Sequence, residues 1–169
     1  MKQLKSTCAA FLLLVITTSA SAQNKLERSS VLGVFVASTP CSEGTRPLPG
    51  IPPDIDCELM KWKLTLYQNA SKKTPTIYKL HCSYGLPKQG TTGLIGGGQK
   101  IELEGEWKII KGTASNPRAV VYQLHDNKTS TTVSLLKLSD SLLHLLDSEL
   151  RLMIGSAAWS YTLNKTSNE

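Results

Sequence analysis

The residues of this chain that could do chemistry begin with its cysteines. Cys41 and Cys57 end the proline- and glycine-rich stretch 41-CSEGTRPLPGIPPDIDC-57. Such a pair can grip a metal ion, cycle as a redox couple, or close a disulfide around a loop with another task. The three histidines, His81, His125 and His144, are scattered. No H-x-H, H-x-x-x-H or C-x-x-C spacing starts a metal site, which needs three or four converging ligands. All three are read as solvated or singly hydrogen-bonded. Serines are plentiful, yet none occupies the G-x-S-x-G context of a nucleophile. Glu102, Glu104 and Glu106 alternate along a single segment, where carboxylates keep a surface wet. Gly96-Gly97-Gly98 fits no phosphate-binding spacing and reads as a flexible hairpin turn. Met60 and Met153 sit on or beside apolar strand faces, which is core usage and not a methionine-rich copper motif. No catalytic residue is nominated, and the protein is expected not to be an enzyme.

The chain opens MKQLKSTCAAFLLLVITTSASAQN. Lys2 and Lys5 precede an apolar stretch from Cys8 to Ile16, and Ala20-Ser21-Ala22 has the small-x-small form of a cleavage site. Residues 1–22 are therefore expected to be a secretory signal peptide, because the apolar run is far shorter than the roughly 20 residues a span needs. No transmembrane span is expected in the mature chain. Cys8 begins the apolar region instead of following it, which argues against a lipidated N-terminus. The protein should be exported and periplasmic or secreted, with an outer-membrane lipoprotein the lesser reading. Three cysteines remain, so in an oxidising compartment two should pair and one should be left over. Sequons occur at Asn69, Asn127 and Asn164, and they matter only in a eukaryotic secretory pathway.

The full chain has 169 residues and a net charge of +6. Its basic residues are dispersed among acids, with no aromatic interleaving, which excludes a nucleic-acid footprint. Alternation with period two dominates the elements that must carry the candidate residues. In 58-ELMKWKLTLY-67 the apolar face is Met60, Trp62, Leu64 and Leu66. In 76-TIYKLHCSY-84 it is Tyr78, Leu80, Cys82 and Tyr84, so Cys82 should be a buried free thiol. In 101-IELEGEWKII-110 the inward residues are Ile101, Leu103, Trp107 and Ile109. Further strands are expected over 31–38, 118–126, 131–138, 142–147, 150–154 and 157–163. Eight or nine short antiparallel strands joined by tight turns make one all-β domain, a small barrel or sandwich over 31–164. Residues 23–30 should be a flexible tail. Aromatic side chains fall mostly on inward faces, so no exposed aromatic patch is expected.

These elements carry a resemblance. Thr39-Pro40-Cys41, then Asp56-Cys57 and 64-LTLY-67, are similar to the Pro-Cys-x-x-Cys element and Thr/Leu-rich strand of the N-terminal domain of NlpE-type copper-resistance lipoproteins of bacterial envelopes. The stretch 105-GEWKI-109 looks like that family's Gly-x-Trp strand, and 142-LLHLLDSELRLM-153 with 161-YTL-163 resembles its closing elements. The resemblance covers roughly residues 31 to 163. It implies a small antiparallel β-barrel, loosely like a lipocalin, acting in envelope stress sensing or copper tolerance.

Two departures shape what carries over. The family anchors itself by a lipidated cysteine, and its two cysteines are two residues apart. Here they bracket a long loop, which loses the local geometry a chelate or redox couple relies on. Cys41 and Cys57 therefore carry over as a disulfide, with copper ligation by the same pair as the alternative. The stapled loop is the expected partner-binding element, with Arg46, Pro47, Leu48 and Ile51 as its contacts. The partner is expected to be an envelope protein or a small apolar ligand, with no nucleic acid and no required cofactor. A binding or stress-response module is thus expected first, a copper- or metal-tolerance protein second, and a hydrolase or inhibitor third.

Overall fold

The computed structural model describes residues 29–156 and 158–166. The expected signal peptide, and residues 23–28 of the expected tail, lie outside them. Eight strands run in sequence order: β1 Ser29–Pro40, β2 Leu59–Asn69, β3 Pro75–Gly85, β4 Gln99–Lys111, β5 Val120–Asp126, β6 Thr132–Lys137, β7 Leu142–Leu146 and β8 Thr162–Lys165. Each pairs antiparallel with the next, and β8 returns to β1, so the sheet closes into a barrel. Closure removes the edges that an open sheet would expose.

Alternation places the core as the sequence predicts for β2 and β3. Met60, Trp62, Leu64 and Leu66 are buried, as are Tyr78, Leu80, Cys82 and Tyr84, while Lys63 and His81 are exposed. The polar atoms carried inward find partners: Trp62 Nε1 donates to Thr39 Oγ1 at 2.9 Å, and Trp107 Nε1 donates to the Tyr67 carbonyl at 2.6 Å. Trp107 also packs against Tyr122, with ring centroids 4.9 Å apart. Ile109 departs from expectation at 51 % exposure. The β3–β4 pairing ends at Glu106, so Ile109 lies past the point where β3 covers the core.

β4 pairs with β3 over its first part and with β5 over its second, and Gly105 belongs to both ladders. A Cβ at Gly105 would stand 2.0 Å from the His125 carbonyl oxygen, so only glycine permits this closeness of β4 to β5.

Several sequence expectations are corrected. Ser29 and Ser30 belong to β1, not to a flexible tail. No ninth strand forms over 150–154. The Asp147 carboxylate accepts the amides of Glu149 and Arg151, and Leu150 takes a left-handed φ of 58°, which turns the chain back on itself; Leu152 makes one bridge to Leu146. The expected strand 157–163 contracts to β8, because the Ser156 and Trp159 backbones bond each other in a tight turn. The three glycines 96–98 do not form the tip of the β3–β4 hairpin. That tip closes by the Lys88–Gly93 bond, and the glycines, each at positive φ, bring the chain back to β4.

Strand direction sorts the connections. The long ones, 41–58, 86–98 and 147–161, share one end of the barrel with the 127–131 turn; we call this the loop end. The short ones, 70–74, 112–119 and 138–141, share the other, the turn end.

Candidate functional site

Cys41 and Cys57 are joined in a disulfide and both are buried. Their loop folds inward over the loop end of the barrel. Leu48 and Ile51, at 3 % and 8 % exposure, belong to the main core. Arg46 organises the loop from within: its guanidinium donates to the carbonyls of Ile51 at 3.1 Å, Pro52 at 2.5 Å and Ile55 at 2.8 Å. Four prolines shorten the list of loop conformations, and the arginine satisfies carbonyls that proline-rich chain leaves without partners. The Tyr161 hydroxyl ties the loop to the chain entering β8 by donating to the Thr45 carbonyl at 2.7 Å.

This corrects the expected contact set. Leu48 and Ile51 face the core, and the Arg46 head group is occupied by its own loop, so these three side chains form a plug and not a docking face. Pro47 is half-buried beside them. The stretch reads as apolar at Leu48 and Ile51 in either case; sequence alone does not say which side of a stapled loop meets the barrel.

The same disulfide bears on the metal reading. Copper ligation by Cys41 and Cys57 needs two thiolates, and each sulfur is bonded to the other. Among the described residues no group of three or more His, Cys, Asp or Glu is placed to hold a metal ion. While the disulfide holds, Cys41 and Cys57 therefore cannot act as the copper ligands of the alternative reading. Cys82 is a buried free thiol, and burial pushes its pKa up, which keeps it protonated and unreactive.

The histidines do not converge. His81 stands 3.4 Å from Glu102 on the outer wall, and His125 lies near Thr132. His144 has two partners, not the one expected: Thr162 Oγ1 at 3.0 Å and the Met153 carbonyl at 2.9 Å. A carbonyl only accepts, so Nε2 carries a proton there and His144 straps the 147–161 connection to β7 and β8.

A groove of about 240 Å3 runs along the outer wall, where the first part of β4 separates from the β5–β6 turn; it is lined by Lys79, Glu102, Glu104, Asp126 and Thr129 among others. Its charges answer one another. Lys79 pairs with Glu104, and the Asp126 carboxylate accepts from the Thr129 hydroxyl and amide at 2.6 and 2.7 Å, which holds its pKa below the usual value. These bonds tie down the end of β5. Within the barrel, Tyr78, Tyr161, Met60, Trp62 and Trp107 are buried in the core. At the turn end a recess of about 230 Å3 reaches Phe35 and Leu143 between Lys137 and Lys165, smaller than the roughly 300 Å3 at which small-molecule sites begin.

Sequence reading missed one feature. Ile154 is 81 % exposed, Leu152 45 % and Trp159 39 %, all on the connection between β7 and β8. Trp159 is a single exposed tryptophan beside Leu152 and Ile154, where the sequence nominated no aromatic patch. A signal was present in the chain: 152-LMIGSAAWSY-161 has no charged residue and breaks period two at Gly155-Ser156. The sequons also separate. Asn69 is buried and its side-chain oxygen accepts the Ser71 and Lys72 amides, whereas Asn127 and Asn164 are exposed. No family model, curated protein or solved structure matches this chain.

Proposed function

We propose that this protein is a non-enzymatic binding module of the bacterial cell envelope, a stress-response component that contacts an envelope protein through its β7–β8 connection. The observation that carries this reading is the exposure of Leu152, Ile154 and Trp159 on one connection whose backbone is already internally bonded. Aliphatic and aromatic side chains held out on a preformed loop cost free energy in water, and covering them drives association. The plug of Leu48 and Ile51 at the loop end directs recognition there to the outside. The disulfide fits an oxidising compartment, and no helix among the described residues is long and apolar enough to cross a membrane. The closed antiparallel barrel is also the architecture implied by the resemblance to the NlpE-type domain.

Chemical crosslinking in intact cells tests the proposal. The wild-type chain should give one adduct of defined mass, and Ile154→Asp should abolish it while leaving the melting temperature within a few degrees. An unchanged adduct in Ile154→Asp, or no adduct in the wild type, would overturn the reading.

A further inference from the structure

Positive charge gathers at one end of the barrel. Among the described residues the turn end carries Lys73, Lys111, Arg118, Lys137 and Lys165 against the acid Asp140, which is paired with Lys137 at 2.6 Å. At the loop end the signs are mixed: Glu43, Asp54, Asp56 and Glu58 on the stapled loop stand near Lys61, Lys88, Lys100 and Lys128, Arg46 is turned onto its own loop, and Arg151 is paired with Asp147 and Glu149. The basic end also shows apolar side chains to solvent: Leu138 at 53 %, Ile109 at 51 % and Val31 at 47 %.

We propose that the turn end of the barrel docks on an anionic lipid surface. This deepens the envelope reading and rests on it. Clustered lysine and arginine are drawn to anionic headgroups over a Debye length, and aliphatic side chains at the contact enter the headgroup boundary. Leu138, Ile109 and Val31 favour a bilayer over a nucleic acid, because a phosphate backbone offers aliphatic side chains no apolar medium. Docked this way, the barrel turns its loop end, with the β7–β8 connection, away from the membrane and toward a partner.

Vesicle cosedimentation of the full chain tests this. Phosphatidylcholine vesicles with phosphatidylglycerol should bind it, those without should not, and added salt should weaken binding. Lys111→Glu with Arg118→Glu should lower partitioning at least about tenfold. Lys88→Glu with Lys128→Glu changes the net charge equally at the loop end and should leave partitioning near wild type. Leu138→Asn should lower it as well. All five positions are exposed, and matching near-ultraviolet dichroism verifies folding. The leading segment is common to every variant, so its own affinity for lipid cancels. Equal losses from both charge-reversal pairs, or equal binding to neutral vesicles, overturn the proposal. So does an unchanged Leu138→Asn that binds single-stranded DNA as tightly as vesicles. Failure here with the Ile154-dependent adduct intact overturns membrane docking alone and leaves the partner reading standing.

Discussion

The Tyr161 hydroxyl donates a 2.7 Å hydrogen bond to the carbonyl of Thr45, 116 positions away in sequence. The bond joins the chain entering β8 to the stapled loop, so the last strand and the plug hold each other in place. Tyr161→Phe removes the donor and leaves a half-buried carbonyl, at a cost of about 1 kcal/mol. Urea unfolding should show this loss with an unchanged slope against denaturant. A variant as stable as the parent would mean the plug is held by the disulfide and Leu48 alone.

The disulfide should be worth more than that bond. Closing a loop of about 15 residues removes about 3 kcal/mol of chain entropy from the unfolded state. The double variant Cys41→Ser, Cys57→Ser should lose about that much in the same measurement. Intact mass gives a second check: the native protein should gain two hydrogens on reduction, and metal analysis of the unreduced form should show no stoichiometric copper.

Tyr78 predicts the behaviour at high pH. Its side chain is fully buried, its hydroxyl has no hydrogen-bond partner among the described residues, and burial, then the Asp126 charge, pushes its pKa from 10.0 up to about 12. A phenol raised in the folded state contributes stability that is whole below pH 10.0 and lost as pH climbs through about 12. Tyr78→Phe should flatten that part of the alkaline decline, leaving the portion due to Tyr161. Because it also deletes an unsatisfied buried hydroxyl, it should stabilise the neutral protein by about 1 kcal/mol. A marked loss at neutral pH would show that the hydroxyl has a partner after all.

Gly105→Ala should be among the most damaging single changes available. Its Cβ would meet the His125 carbonyl at 2.0 Å, and backbone, unlike a side chain tip, cannot swing aside. Parting β4 from β5 should cost about 3 kcal/mol. Hydrogen exchange should then quicken in β4 and β5 first, while β2 and β3 keep their protection.

Alternation alone placed Met60, Trp62, Leu64 and Leu66 in the core, and Cys82 with Tyr78 and Tyr84, because side-chain direction in a strand repeats every two residues whatever surrounds it. Alternation also carried the all-β class, and the Cys41–Cys57 pairing came as what the family resemblance implies. Where the pattern was only locally apolar it misled: 150–154 reads as a strand, yet Asp147 captures the amides of Glu149 and Arg151 and turns the chain before pairing can extend.

Tertiary structure alone decided which way the stapled loop faces. Leu48 and Ile51 go inward because the loop end of the barrel presents apolar area to fill, and Arg46 can then satisfy the carbonyls above them. It also decided that a cluster of bases gathers at the turn end. Lys73, Lys111, Arg118 and Lys165 are scattered in sequence, and only the up-and-down course of eight strands brings them to one end. The period of a strand is set by its own backbone; the destination of a loop, and the company a charge keeps, are set by closure of the whole barrel.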